Sequence, residues 1–198
     1  MKVHRLLSAA ALLAAGAISA LASEEAFFPA TAFYGDPGLQ QSIETWYSKH
    51  LRVMGETPLP SMAKAGTNHI YRFTCLRTFD EPFCIRLVVQ PDGSGKLIRK
   101  MTSGRGGYDA GDLKETRETR LEKPQVDEFV KLLERERYWH LKTTERSDGL
   151  DGSQWIVEAV HAGRYHVVDR WTPDSSTAIG KIGRALLKLA DWKVNDLY

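Results

Sequence analysis

The chain has 198 residues, a length that fits one domain, and 42% of them are hydrophobic. Its 27 lysines and arginines barely exceed its 25 aspartates and glutamates. This near balance excludes a strongly basic protein of the nucleic-acid-binding type, and we predict no nucleic-acid partner.

Residues 1–22 have the pattern of a secretory signal peptide. Lys2 and Arg5 precede an apolar run that starts at Leu6 and ends in Ala20-Leu21-Ala22. We predict cleavage between Ala22 and Ser23 and a periplasmic or secreted location. The alternative is a retained anchor, but the run is short for a membrane span, so we expect no transmembrane segment after cleavage. The signal carries the whole excess of basic charge, and the mature domain, residues 23–198, is neutral.

The first half of the mature chain predicts an arm, a helix and four strands. Residues 23–35 are expected to be extended, and a helix runs from Asp36-Pro37 to Gly55, followed by a loop over residues 57–66. Alternation of apolar and polar residues then predicts four strands, the last of them charged and close to a sheet edge. These strands cover residues 69–79, 83–89, 96–101 and 113–121.

The second half predicts a helix, a hairpin and a last helix. Pro124 opens the second helix, and the third follows Pro173-Asp174. Between them, strands 154–161 and 164–171 flank the turn Ala162-Gly163, which pairs His161 with Arg164. The order helix, four strands, helix, two strands, helix predicts an α+β fold with an antiparallel sheet of about six strands. We expect the helices mainly on one face of this sheet.

The two cysteines, Cys75 and Cys84, suggest a disulfide because an exported chain meets an oxidising compartment. If they lie directly opposite one another across the first hairpin, their Cα atoms are close enough to be bridged. The alternative is a pair of separate buried thiols.

The hairpin at residues 147–173 has the densest cluster of aromatic and ionisable side chains. In the predicted register, Glu158 and Asp169 are diagonal neighbours on one face, and paired carboxylates can divide acid and base roles. His161 and His166 lie on the opposite face with Trp155 and Arg170, but this face offers no further metal ligand. We therefore predict neither a metal nor a cofactor, and we expect Trp171 to be buried beneath a helix and Trp155 to be more exposed.

A glycine-rich loop at residues 102–111 is the second candidate contact region. Four glycines surround Arg105 and Tyr108, a composition typical of a mobile loop that contacts a partner. With the exposed face of the hairpin, this loop gives four predicted binding residues: Arg105, Tyr108, Trp155 and Arg170.

Several short motifs resemble those of small exported bacterial proteins of uncharacterised function. The motifs are Tyr71-Arg72-Phe73, Arg77-Thr78-Phe79, Tyr138-Trp139, Asp151-Gly152-x-x-Trp155-x-x-Glu158 and Tyr165-His166-Val167-Val168-x-Arg170-Trp171-x-Pro173. The resemblance implies export and a single domain, and it brings no catalytic residues. The sequence therefore favours a binding or accessory protein, not an enzyme, with an unknown protein or small molecule as partner. The alternative is a small periplasmic hydrolase that uses Glu158, Asp169 and His166.

Overall fold

A computed structural model describes residues 25–33, 36–64, 66, 69–145, 149, 151–195 and 197–198. The predicted signal peptide and its cleavage site lie outside the described residues. Within the described part of the chain, no helix has the length and hydropathy needed to cross a membrane.

The described chain forms four α-helices and six strands. The helices are α1 (Pro37–Val53), α2 (Leu59–Lys64), α3 (Lys123–Arg135) and α4 (Ala178–Leu189). The strands are β1 (Ile70–Arg77), β2 (Phe83–Val89), β3 (Gly95–Thr102), β4 (Leu113–Leu121), β5 (Ser153–His161) and β6 (Arg164–Trp171). The predicted order is right except that the expected loop at residues 57–66 contains the short helix α2.

All six strands belong to one antiparallel sheet with the order β4-β3-β2-β1-β5-β6. The predicted α+β class is confirmed, and β4 lies at an edge as its charged sequence indicates. The predicted register of the last hairpin is also confirmed, since His161 pairs with Arg164 and Ala159 pairs with His166. Here the turn Ala162-Gly163 fixes the register, because both residues have the positive φ angles of a tight hairpin turn.

Helices cover both faces of the sheet, so the expectation of helices mainly on one face is wrong. On one face, called the α3–α4 face, Phe73, Ile85 and Trp155 belong to the same core as residues of α3 and α4. On the other, called the α1–α2 face, Leu76 and Ile156 pack with α1 and with Phe27, Phe28 and Phe33. The polar residues Arg72 and Thr74 of β1 also point to the α1–α2 face. Their polarity suggests in the sequence that this face is exposed to water, but both side chains are fully buried.

Side-chain caps define the N-terminal ends of two helices, α1 and α4. Asp36 precedes α1 and accepts a hydrogen bond from the Leu39 amide at 2.8 Å through its carboxylate. Thr177 caps α4 in the same way, by accepting a hydrogen bond from the Gly180 amide at 3.2 Å. The cap of α4 thus lies a few residues later than the predicted Pro173-Asp174 start.

The expected burial of the two hairpin tryptophans is reversed. Trp155 is 1% exposed, whereas Trp171 is half-buried. The reason is that α4 packs on the Trp155 side of the hairpin, where Gly183 lets the helix backbone approach the indole ring. A Cβ atom at Gly183 would lie 2.5 Å from Cζ3 of Trp155, so only glycine permits this packing.

The predicted disulfide between Cys75 and Cys84 is wrong. Cys75 pairs with Phe83, and Cys84 pairs with Thr74, so the hairpin register differs by one residue from the one that would join the two sulfurs. Successive residues of a strand point to opposite faces, which places one thiol on each side of the sheet. Both cysteines are free and buried. Burial raises the pKa of both thiols and keeps them protonated.

The two thiols should therefore be unreactive in the folded protein and both available after unfolding. We expect almost no reaction of the native protein with a thiol reagent at pH 8, because neither thiol is exposed or ionised. In denaturant without reductant, two thiols per chain should react. A denatured, unreduced monomer with no reactive thiol would show that the cysteines are joined after all.

Candidate functional site

The glycine loop is bonded to the body of the protein instead of extending freely from it. Within the loop, the Gly104 amide donates to the Ala110 carbonyl at 3.1 Å and the Arg105 amide donates to the Asp109 carbonyl at 2.8 Å. The Gly106 amide donates to the Asp80 carbonyl at 3.1 Å, in the turn between β1 and β2. From α1, the Trp46 indole donates to the Gly106 carbonyl at 2.7 Å. The loop is thus fixed between α1 and the β1–β2 turn.

The glycines of this loop are required by close backbone approach. A Cβ atom at Gly106 would lie 2.5 Å from backbone atoms of Leu76 and Arg77, and one at Gly104 would lie 2.0 Å from the Asp109 carbonyl. Backbone atoms cannot move aside as a flexible side chain can. The glycine content that suggests mobility in the sequence instead serves tight packing.

Two aromatic side chains are exposed where the loop meets the β1–β2 turn. Phe79 is 47% exposed and Tyr108 is 56% exposed. Their ring centroids lie 6.4 Å apart with an angle of 31° between the rings. Arg105 is exposed in the same loop. We call Phe79, Arg105 and Tyr108 the aromatic patch.

The C-terminal residue stabilises the base of the patch. The Tyr198 hydroxyl donates to the Asp80 carboxylate at 2.5 Å and accepts from the Phe79 amide at 3.4 Å. Partial burial, followed by the hydrogen bond to Asp80, raises the pKa of Tyr198. The tyrosine therefore stays protonated and remains a donor over the physiological pH range.

The start of the last hairpin reaches the same end of the sheet. The amide and the hydroxyl of Thr78 donate to the Gly152 carbonyl at 2.9 and 2.8 Å. The Thr78 carbonyl in turn accepts from the Gly107 amide at 3.2 Å. One residue of the β1–β2 turn thus joins the glycine loop to the beginning of β5, and the two regions singled out in the sequence converge there.

The other two predicted binding residues, Trp155 and Arg170, make contacts within the protein and are not part of the aromatic patch. Trp155 is in the core beneath α4. Arg170 donates to the carbonyls of Lys142 and Thr143 at 2.9 and 3.0 Å and to the Glu145 carboxylate at 2.9 Å. Its guanidinium group therefore fastens the segment before β5 to the edge strand β6, and only Arg105 and Tyr108 of the four predicted residues lie in the patch.

Glu158 belongs to a buried network of charges on the α1–α2 face. Arg72 donates to both of its carboxylate oxygens, from Nε at 2.7 Å and from Nη2 at 2.8 Å, and the Tyr165 hydroxyl donates to Oε1 at 3.0 Å. Nη1 of Arg72 lies 3.5 Å from the second buried carboxylate, that of Glu56. Such a carboxylate is fully engaged and has no free oxygen for acid–base chemistry.

Three cations surround Glu56. Besides Arg72, Arg86 Nε and Lys100 Nζ each lie 2.8 Å from its carboxylate oxygens. Burial alone would raise the pKa of Glu56, but the three cations outweigh burial and lower it. The network thus keeps its two carboxylates compensated by three cations, away from water.

The three residues of the hydrolase alternative are not brought together. Asp169 accepts hydrogen bonds from the Tyr47 hydroxyl at 2.9 Å and from the Gln154 amide, and burial raises its pKa to about 6. His166 is on the opposite face of the sheet, where Nε2 lies 3.1 Å from the Leu141 carbonyl oxygen. The sheet separates His166 from both carboxylates, so these residues do not form a catalytic set.

A groove of 860 Å³ runs beside α3 at the opposite end of the last hairpin. The imidazoles of His69 and His161 stack there with their centroids 4.0 Å apart, and the Tyr71 hydroxyl lies 3.4 Å from Nδ1 of His161. His161 thus pairs with His69, not with His166. Among the described residues, no group of three or more metal-ligating side chains is arranged around a common point. Side chains of α3 bring both positive and negative charges to the groove. This mixture does not favour one class of ligand.

Sequence reasoning misses two features of this site. The alternation of residues assigns Phe79 to the end of a strand, although its position directly before Asp80-Glu81-Pro82 places it in a turn, where a large apolar side chain is exposed. The charge network around Glu56 and Glu158 has no sequence signal, because its five members come from five separate segments. No model of a known protein family matches the chain, and no curated protein matches it significantly.

Proposed function

We propose that the protein is an exported binding or accessory protein that contacts a protein partner through the aromatic patch. The observation that carries this proposal is a pair of large exposed aromatic side chains, Phe79 and Tyr108, on a backbone held by hydrogen bonds. Aromatic and arginine side chains dominate the binding energy of protein interfaces. An anchored loop loses little conformational entropy on binding, which favours affinity.

The export part of the proposal is supported by the pattern of residues 1–22 and by the resemblance to small exported proteins. The hydrogen bonds that occupy both oxygens of Glu158, and the position of His166 on the opposite face from Glu158 and Asp169, support binding over catalysis. The partner is of unknown identity, and an exposed aromatic pair with one arginine favours a protein surface over a small molecule.

Site-specific photo-crosslinking in intact producing cells tests this proposal. Tyr108 is replaced by a photoreactive phenylalanine analogue, and Leu39, which is 45% exposed on α1, receives the same analogue as a matched control. We expect a discrete crosslinked species from position 108 and none from position 39. Adding Phe79→Ser should reduce the yield at position 108 at least about tenfold, because hot-spot aromatics contribute ~2 kcal/mol or more.

Fractionation of the same cells tests export, since the protein should be recovered from the periplasmic fraction. Both variants should unfold at the same urea concentration as the wild type, because the replaced side chains are exposed. No crosslink at position 108, or equal crosslinking at both positions, would show that the patch does not contact a partner.

A further inference from the structure

The two edge strands of the sheet, β6 and β4, differ in whether another segment of the chain pairs with their outer side. At β6, the Asp169 amide donates to the Thr143 carbonyl at 2.7 Å, and Thr144 forms a bridge to Asp169. At β4, no described strand or bridge pairs with the outer side. Strand β4 therefore presents a row of backbone donors and acceptors that another strand can bind.

The charges along β4 are self-complementary about Thr116. A two-fold axis through Thr116, perpendicular to the sheet, pairs Glu115 with Arg117 of a second copy, and Arg117 with its Glu115. The same axis places Lys114 opposite Glu118 and Glu118 opposite Lys114, with the two Thr116 residues facing each other. Opposite charges directly across antiparallel strands stabilise the pairing.

Neighbouring registers lack this complementarity. An axis through Arg117 would place Arg117 opposite itself and Lys114 opposite Arg120, and an axis through Glu115 would place two glutamates together. Like charges directly opposite one another destabilise a pair of strands. Of these three registers, only the one centred on Thr116 places opposite charges across from each other throughout.

Three of the four charged side chains in this pattern already have partners within the chain: Glu115 lies 2.7 Å from Arg99, Lys114 2.5 Å from Glu81 and Glu118 2.7 Å from Lys96. These ion pairs are partly or fully exposed, so they contribute little to stability and can be shared or exchanged at an interface. Thr116, Arg117 and Glu118 are exposed. Arg117 makes no ion pair with a described residue, and it lies directly across from Arg99 of β3, a like-charge pairing within the chain. Glu115 of a second copy would supply the carboxylate that Arg117 lacks.

We propose that two copies of the chain associate through β4, antiparallel and centred on Thr116, to form one sheet that continues through both copies. The interface is isologous, as closed two-fold dimers require. Charged residues on an edge strand can also serve only to prevent association. That role does not need alternating charges that match under a two-fold axis, and the experiment separates the two roles.

Charge reversals of Glu115 and Arg117 test the dimer by sedimentation over a wide concentration series. The wild type should show a concentration-dependent dimer. E115R alone brings arginines together across the interface, and R117E alone brings glutamates together, so each should weaken self-association at least about tenfold. The double variant E115R/R117E restores opposite charges and should dimerise like the wild type.

A mixture of E115R and R117E tests the proposed interface most directly. Positions 115 and 117 are both basic in E115R and both acidic in R117E, so opposite charges meet at every contact between the two proteins. Two proteins that are each monomeric should therefore form a heterodimer. Urea unfolding of each variant verifies that the fold is retained. A wild type that remains monomeric at every concentration would overturn the proposal, and so would a dimer that both single variants leave unchanged.

Discussion

Replacing Arg72 by methionine should lower the free energy of unfolding by about 3–5 kcal/mol. Arg72 is completely buried, and its guanidinium group bonds both oxygens of Glu158 and the Thr57 carbonyl at 2.8 Å. Methionine occupies a similar volume but leaves the charge of Glu158 uncompensated inside the protein. Urea unfolding at pH 7 measures the loss.

Two further variants test whether the loss of stability arises because the charge of Glu158 is buried. Lys96→Met breaks the ion pair with Glu118 at 2.7 Å, in which both side chains are exposed, and should cost no more than ~1 kcal/mol. The double variant Arg72→Met/Glu158→Leu removes both buried charges and should be more stable than Arg72→Met alone. A loss below ~1 kcal/mol for Arg72→Met would mean that water reaches Glu158 and that the network is not closed.

The stability of the protein should respond to pH through two buried groups with opposite signs, His50 and Asp169. His50 is fully buried on α1, and burial, with a smaller effect of Lys49, lowers its pKa to about 4. Burial raises the pKa of Asp169 to about 6. Each shift corresponds to about 3 kcal/mol, at ~1.4 kcal/mol per pKa unit.

Whether each residue stabilises or destabilises the protein as the pH falls depends on which state, folded or unfolded, binds the proton more tightly. Below pH 6.5 the unfolded chain protonates His50 but the folded protein does not, so this residue makes folding less favourable as the pH falls from 6.5 to about 4. Below about pH 6 the folded protein protonates Asp169, whereas the unfolded chain does so only near 3.8, so this residue makes folding more favourable over nearly the same range. In the wild type the two contributions largely cancel between about pH 6 and about pH 4.

Single substitutions should expose each contribution. In Asp169→Asn the effect of His50 is left alone, and stability should fall relative to the wild type by about 2 kcal/mol between about pH 7 and about pH 4.5. In His50→Leu the relative stability should rise by a similar amount over the same interval. Urea unfolding at several pH values provides the comparison, and profiles for both variants that run parallel to the wild type would contradict the assignment.

The sequence predicted those parts of the fold that depend on local patterns. The turn Ala162-Gly163 determines its own hairpin register, and this prediction was right to the residue. The first hairpin has a longer turn without such a constraint, and a one-residue difference there separated Cys75 from Cys84. The second covered face was missed because Arg72 and Thr74 are polar, and their burial depends on partners distant in the sequence.

The candidate site was predictable only in part, for a similar reason. Arg105 and Tyr108 were identified from the composition of their loop, and they do lie at the surface. Trp155 was misplaced because nothing local indicates that Gly183, on a distant helix, makes room for its indole ring. The attachment of the loop to Asp80 and Trp46 likewise depends on contacts between segments, which composition alone does not reveal.

The glycine loop has a practical consequence for protein engineering. It is held largely through main-chain groups, and glycines occupy its positions of closest backbone approach, while the side chains of Arg105 and Tyr108 in the loop and of Phe79 in the adjacent β1–β2 turn are exposed. Randomising these three positions would therefore change the contact surface without altering what holds the loop in place. The protein thus offers a small scaffold on which new recognition surfaces can be selected, separately from the residues that fold it.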